Sequence, residues 1–401
     1  MREAFAFACI MTMIASMPSF AEPLTVKRVV EIAATSSPES RIASARVQEA
    51  QGRLSSARVI ATDNPTIEGL RGTTDTEIES TEIDLTVPIG FGFRRKYRVR
   101  EASSAVEREQ YLETDSRRHA VGRALRAFFR VLYFEQRLSI AKDGSRLAQD
   151  LVGVAADRFE AGDAARLDVI IAEGEWSRAK SEILAEEANV SESRADLARV
   201  LGFPSGDSLE ISGDLGDRSF FLAEVDSVAI HNRADILAAR SEMKAAEAAV
   251  SGSNAAALPE LAFRMDYEKT EDEDLLRPGL ALSIPLFDRG QGLRGEAKAR
   301  RLRASIELET QTSAALAEYE GARSAYRSMD ASAEEIEKEA APRAQEIEQL
   351  ASQSYAAGKL DLPSLLVIRR NAVDTRREHT DRQLDAALAG IALFLAAGTN
   401  P

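Results

Sequence analysis

The stretch Asp157–Val169, DRFEAGDAARLDV, returns nearly two hundred residues later as Gln353–Leu365, QSYAAGKLDLPSL. Phe159 corresponds to Tyr355, Ala161 to Ala357, Gly162 to Gly358 and Val169 to Leu365. In each copy an aromatic closes a long helical run, a glycine follows three residues later, and a second helical run begins soon after. Glycine suits the left-handed backbone that ends a helix. Each copy therefore predicts the tip of a helical hairpin, made twice at equivalent points of two halves.

Outward from the tips, the same order of elements appears twice. From Leu24 to about Thr62 the pattern is helical, with Val47, Ala50, Leu54, Ala57 and Ala61 on a 3-4-3-4 seam. Pro38 interrupts it near its start and Asn64-Pro65 stops it. In the second half Ile236, Ala239, Met243, Ala246 and Val250 repeat the seam, and Leu258-Pro259 stops it. Two extended segments follow in each half. From Thr81 to Pro88, Ile83, Leu85 and Val87 alternate with Glu82, Asp84 and Thr86. In the other half Leu261, Phe263, Met265 and Tyr267 alternate with polar residues. An acidic loop from Glu271 then leads to Leu280, Leu282 and Ile284 on one face, ending at Pro285. Such a face covers a core in a soluble sheet or meets lipid in a membrane barrel whose carboxylates line water, and period 2 alone fits both.

Long helical runs come next, from the basic cluster after Gly90-Phe91-Gly92 to Phe159, eased near Asp143-Gly144, and from about Arg289 to Tyr355, broken at Pro342. A run of about 65 residues would extend ~100 Å. The second seam, Ala304, Leu308, Gln311, Ala315, Glu318, Ala322, Ala325 and Met329, is mostly small or polar, so helices approach closely but bury little. The internal offset is 194 between Pro65 and Pro259, 197 between Pro88 and Pro285, and 196 between Gly162 and Gly358. The repeat is helix, two strands, long helix, tip, helix. It divides the chain into a first unit, 22–204, a glycine- and aspartate-rich connector, 205–225, containing Ser219-Phe220-Phe221-Leu222, and a second unit, 226–401.

Composition narrows the class. Aromatics are only 6% and charged residues 29%, which suits long helices with narrow seams better than a thick core. The net charge of −14 gives no basic footprint for nucleic acid. Residues 1–21 read as a cleaved secretory signal: Arg2, an apolar run from Ala4 to Met17, then Ser19-Phe20-Ala21. The only cysteine, Cys9, lies inside it, without the small-residue context of a lipid-attachment site. His119, His231 and His379 are scattered, so no metal or cofactor site is expected. Gly290-Gln291-Gly292-Leu293-Arg294-Gly295 is a formal GxGxxG, but the helix after it is too long for a compact dinucleotide-binding unit, so it reads as a strand-to-helix turn. The basic groups Arg94 to Arg100 and Arg289 to Arg303 fit either a nucleic-acid patch or a solvated helix surface. Glu82 and Asp84 share a strand face without an acid/base partner, Trp176 reads as packing, and Ala386 to Ala397 is too short to span a bilayer. Nothing points to an enzyme.

Four short strands cannot close a barrel alone, and alanine seams do not make a stable globule; both problems vanish if several chains pool their elements. RIASARVQEAQGRLSSAR before Asn64-Pro65, NRADILAARSEMKAAEAAV before Leu258-Pro259, SIPLFDRGQG at Ser283–Gly292 and the two tips, in that order, resemble the TolC family of outer-membrane efflux proteins. The resemblance covers essentially the whole chain after residue 21. It implies a mainly α fold with a small β part: a homotrimer whose strands form a twelve-stranded barrel on a twelve-helix periplasmic tunnel. It implies a passive duct served by an inner-membrane pump and a periplasmic adaptor. PLFDRGQG is most similar to outer-membrane components of cobalt-zinc-cadmium cation efflux, served by RND-type pumps. Type I secretion or drug efflux is the alternative within the class, and a poreless periplasmic coiled-coil scaffold the alternative outside it. On this resemblance Glu82, Asp84, Thr86 and Ser283 line the lumen, and Ile83, Leu85, Val87, Leu280, Leu282 and Ile284 face lipid. Phe159, Gly162, Asp163, Leu167, Asp168, Tyr355, Gly358, Leu360 and Asp361 form adaptor-docking tips, with Phe159, Leu167, Tyr355 and Leu360 expected as exposed apolar contacts.

Overall fold

In the computed structural model, the described residues are 23–60, 63–73, 79–89, 92–206, 209–217, 230–255, 257–270 and 273–398. The expected signal, residues 1–21, and the Ser219–Leu222 stretch lie outside them, as do Gly90, Phe91 and Glu271. The elements are α1 (Val26–Thr35), α2 (Pro38–Ala57), β1 (Thr66–Thr73), β2 (Glu79–Ile89), α3 (Gly92–Glu160) and α4 (Arg166–Leu201). The second half contributes α5 (Ala234–Ala255), β3 (Glu260–Lys269), β4 (Asp274–Ser283), α6 (Gln291–Glu335), α7 (Ala341–Ala356) and α8 (Leu362–Ala397). A π-helical turn, Ile336–Ala340, joins α6 to α7. Among the described residues no helix is long and apolar enough to cross a membrane.

Prolines and glycines set the boundaries. Ser37 caps α2 by accepting from the Ser40 amide, and Pro38 occupies the first turn, where its missing N–H costs nothing. Gly202 ends α4 in the left-handed region, φ 81°, and its neighbourhood abuts Pro38, so α2 continues the line of α4. Likewise α5 continues α8: Arg233 donates to the Ala396 carbonyl at 2.9 Å. The chain therefore forms four columns in the order α4/α2, α3, α8/α5 and α6–α7.

The expected easing at Asp143-Gly144 does not occur: α3 runs unbroken for 69 residues. Glycine lacks a side chain but keeps its N–H, so the hydrogen-bond ladder survives; proline at 342 cannot do this, and the π turn sits just before it. A Cβ at Gly144 would meet nothing within 4 Å. Gly144→Ala should therefore stabilise the chain by about 1 kcal/mol through helix propensity, read as a raised denaturant midpoint; a lowered midpoint would show an unsuspected packing need.

The π turn also corrects a phase. Tyr319, Tyr326 and Ala333 are buried at seven-residue steps. The step resumes at half-buried Ala341 and buried Glu348 and Tyr355, so eight residues separate Ala333 from Ala341. The extra residue is absorbed in the wider i→i+5 turn.

The main core lies at mid-height, where Val121–Leu132 of α3 meets α1, Leu197–Leu201, Leu209, Leu215, Ile391 and Leu395. The connector joins it through a short parallel bridge, Leu24 to Ile211. Two buried arginines close the end of α8: Arg118 donates to the Leu395 carbonyl, and Arg233 grips Asp235 with two bonds of 3.1 and 2.9 Å and Glu318 with one of 2.9 Å. Burial pushes the Asp235 carboxyl up, but the Arg233 guanidinium outweighs it and holds Asp235 below its ordinary range.

The four strands form one antiparallel sheet, β1-β2-β3-β4. Strand order matches column order: α2 leads into β1, β2 into α3, α5 into β3 and β4 into α6. Both open sheet edges thus continue into the two lateral edges of the helical layer.

Candidate functional site

The tips repeat bond for bond at an offset of 196. Asp163 N–H donates to the Arg158 carbonyl at 2.8 Å and Lys359 N–H to that of Ser354 at 2.8 Å; Gly162 and Gly358 donate to Phe159 and Tyr355 at 3.1 and 3.0 Å. Gly162 and Gly358 hold φ of 81° and 71°, the left-handed closure that the sequence predicts.

Their side chains then diverge. Phe159 is 45% and Leu167 63% exposed, but Tyr355 is only 2% exposed. Tyr355 is therefore not the exposed contact expected of it. It packs with Leu151, Ala155, Ala172, Leu362 and Leu365, and half-buried Leu360 packs against the same cluster. Arg158 locks it there, with its guanidinium 4.8 Å from the ring centroid, a 3.0 Å bond to the Tyr355 carbonyl and a 3.3 Å bond to that of Asp163. Asp361 caps α8 by accepting from the Ser364 amide at 3.1 Å, and this bonding holds its carboxyl below the usual range. Its counterpart Ala165 cannot cap α4, and Asp168 instead places a carboxylate in that helix's first turn.

Above the tips, α4 is tied to α8 across α3. Glu182 pairs with Arg377, Glu175 with Arg370 at 3.9 Å, and Arg137 joins Glu186 at 3.2 Å to Asp381 at 3.5 Å. Tyr133 donates to Asp381 at 2.8 Å, and burial followed by that carboxylate pushes its pKa up to about 12. The sequence reading missed these ties and Arg158. The seven-residue spacing shared by Glu175–Glu182 and Arg370–Arg377 was the available signal. Trp176 is half-buried, with the Lys180 ammonium 3.9 Å from its ring centroid.

In the sheet, register puts Glu68, Asp84, Asp266 and Arg277 in one row across four strands. Glu82, Thr86, Arg264, Glu268 and Ser283 share that face, where Arg264 meets Asp266 at 2.8 Å and Asp84 at 3.3 Å. Leu70 and Leu275 are its large apolar exceptions. The opposite face carries Ile67, Ile83, Leu85, Val87, Phe263, Met265, Leu280 and Leu282. Ile284 lies one residue beyond the end of β4, next to Pro285, which has no N–H to extend a ladder; it is 57% exposed and keeps the apolar parity.

Three arginines of the basic cluster after β2 serve the ends of helices. Arg95 and Arg98 donate to the Arg58, Ala57 and Val59 carbonyls at the end of α2, and Arg94 to Ala255 and Leu258 at the end of α5. Orphan carbonyls at helix C-termini attract cations. Arg300, from the second cluster, bridges Glu101 at 2.6 Å and Glu242 at 3.0 Å. Gly290 (φ 72°) caps α6, so the GxGxxG is a strand-to-helix turn. No group of three or more metal-ligating side chains occurs among the described residues.

A doubled unit of this kind has a known profile. The outer membrane efflux protein profile matches residues 29–203 and again 226–399. The chain belongs to this family. It is 25% identical over 275 residues to the cobalt-zinc-cadmium resistance protein CzcC of Cupriavidus metallidurans, covering 68% of this chain and 65% of that protein. It is 25% identical over 319 residues to nodulation protein T of Rhizobium leguminosarum bv. trifolii, covering 75% and 68%. The match thus spans slightly under two thirds of the resistance protein's length. Among solved folds, CusC superposes with a TM-score of 0.76 at 18% identity over 93% of this chain and 91% of that one. The open state of the MtrE outer membrane channel of Neisseria gonorrhoeae gives 0.79 at 17% over 94% and 89%. The fold is shared with these two solved structures.

Proposed function

We propose that the chain is the outer-membrane duct of a tripartite efflux assembly, passing cargo that an inner-membrane pump delivers through a periplasmic adaptor. One observation carries this: sheet and helical layer share their order and leave the same two lateral edges open. Copies that join β4 to β1 of the next chain also bring α6–α7 beside the next α4/α2, and a head-to-tail ring closes both layers at once. Four strands fall short of the roughly eight of the smallest membrane barrels. Three copies give the twelve strands and twelve helical columns that the family resemblance implies.

In such a ring the row Glu68, Asp84, Asp266 and Arg277 lines the lumen together with Glu82, Thr86 and Ser283, and the Ile83–Leu280 face meets lipid. Phe159, Leu167 and the two tip turns face the adaptor. Residues 1–21 direct export and are cleaved. The two repeats occupy 22–204 and 226–401, joined by 205–225.

Heavy-metal cations are the proposed cargo, delivered by an RND-type pump, on the likeness to CzcC. A 24% identity to the pyoverdine export outer membrane protein OpmQ of Pseudomonas putida supports a second reading, export of a larger organic cargo. Membrane fractionation tests the class: a trimer in the outer membrane is expected, and a soluble monomeric mature chain would sink the duct. Deletion of the gene tests the cargo, with sensitivity to cobalt, zinc and cadmium expected. Unchanged metal tolerance with lost secretion of an organic compound would favour the second reading.

A further inference from the structure

Just below the sheet, α2 and α3 part around a recess of about 600 Å³. Its floor is alanine, Ala50 and Ala57 of α2 with Ala102 and Ala105 of α3, whose small side chains leave room between the helices. Its rim is arginine: Arg46 and Arg53 from α2, Arg98 and Arg108 from α3, and Arg300, which reaches over α5 from α6 to meet Glu101. Carboxylates answer three of these cations. Arg53 pairs with Glu49, Arg108 with Glu109 and Glu242, and Arg300 with Glu242 and Glu101. Arg98 spends its bonds on the Ala57 and Val59 carbonyls, and Arg46 has no ion pair among the described residues. The recess thus carries five guanidinium groups for four carboxylates.

The recess opens on the carboxylate-bearing side of the layer. Arg94, Arg98, Glu101, Ala105 and Arg108 step 4-3-4-3 along one face of α3. Arg94 at the top of this stripe pairs with Glu260, whose place in β3 has the parity of Arg264 and Asp266. In the ring of the duct reading that side is the inside. We propose that the recess is an anion site in the wall of the duct, and that cargo passes it as a polycarboxylate, either a free organic acid or one holding a metal ion. The proposal rests on the duct reading and concerns the charge of what the duct carries. Guanidinium forks match carboxylates two bonds at a time, and Arg46 and Arg98 are the rim cations with no carboxylate of their own. Arg108 and Arg300 are only 28% and 29% exposed, so salt screens their charge less than that of a surface side chain. A bare cation is repelled by such a rim, whereas the same metal inside a carboxylate complex presents the negative groups that the rim recognises.

The test is binding of radiolabelled citrate to the purified full-length protein in detergent, by equilibrium dialysis at low ionic strength. Saturable binding of one citrate per chain is expected, weakened about tenfold by Arg46→Gln with Arg53→Gln and weakened again by added salt. Both arginines are exposed, so this variant keeps the half-buried network of Arg108 and Arg300. Ala102→Leu fills the floor, removes no charge, and should weaken binding as well. Absence of saturable binding, or binding that both variants leave unchanged, overturns the site. Zinc citrate separates the two sources of the anion: binding at least as tight as that of citrate alone assigns metal-bearing cargo, and weaker binding assigns the free acid. An outer-membrane trimer that does not bind citrate loses the recess and keeps the duct. A soluble monomer overturns both.

Discussion

Arg233→Met should destabilise the chain by about 3–5 kcal/mol, the cost of removing one partner from a buried ion pair. Arg233 is 5% exposed and binds Asp235, Glu318 and the last turn of α8 at once, so one side chain joins α5 to α8 within their column and ties both to α6. Methionine fills similar space but leaves Asp235 and the Ala396 carbonyl without their donor. Only Ile236 N–H then remains on Asp235, at 3.0 Å. The neighbouring turn fits tightly around the arginine: a Cβ at Gly398 would lie 2.3 Å from Arg233 Cγ. Arg233→Lys keeps the charge but not the two-pronged grip and should lose less. The check is the urea midpoint of the assembled protein together with protease resistance of α8. A loss under about 1 kcal/mol would mean that water replaces the guanidinium at little cost.

The second large effect is on export. Gly162→Pro combined with Gly358→Pro should abolish it while trimer and sheet persist. Proline fixes φ near −65°, whereas these residues stand at 81° and 71°. It also deletes the N–H groups that bond Phe159 and Tyr355. Each tip must then turn by another path, and Arg158 loses its 3.0 Å hold on Tyr355. Alanine at both sites is the milder comparison: strained, but with the N–H kept. Export assayed in a deletion strain, beside a heat-modifiability gel for the trimer, separates lost docking from lost assembly. Wild-type export in the double proline variant would remove the tips from the mechanism.

Much of this architecture was legible because its signals are local and doubled. Asn64-Pro65 and Leu258-Pro259 stop helices wherever they fall, and Gly162 and Gly358 announce their turns by chemistry that needs no tertiary context. The failures share a cause. Tyr355 and Phe159 look equivalent in sequence, but whether an aromatic at a tip is buried depends on what the other hairpin brings, here Arg158 and Leu151. Arg94, Arg95 and Arg98 look like a surface patch because the carbonyls they serve belong to helices 37 to 164 residues away. Gly144 looked like a break because a flexible residue resembles a hinge when its neighbours are unseen. Only pairings across columns decide such questions, and a single sequence carries them faintly, as the seven-residue spacing of Glu175 and Glu182 shows.

The π turn at Ile336–Ala340 implies something about how this half of the chain can change length. The stretch between Ala333 and Ala341 is one residue longer than its heptad requires. Deleting Lys338 should convert the turn to plain α-helix while every buried contact above and below stays in place. Adding a residue at the same point would demand a second bulge or rotate Glu348 and Tyr355 by about 100° out of the core. Length drift at this point is therefore one-sided: shortening by one is silent, and lengthening by one unpicks the second tip.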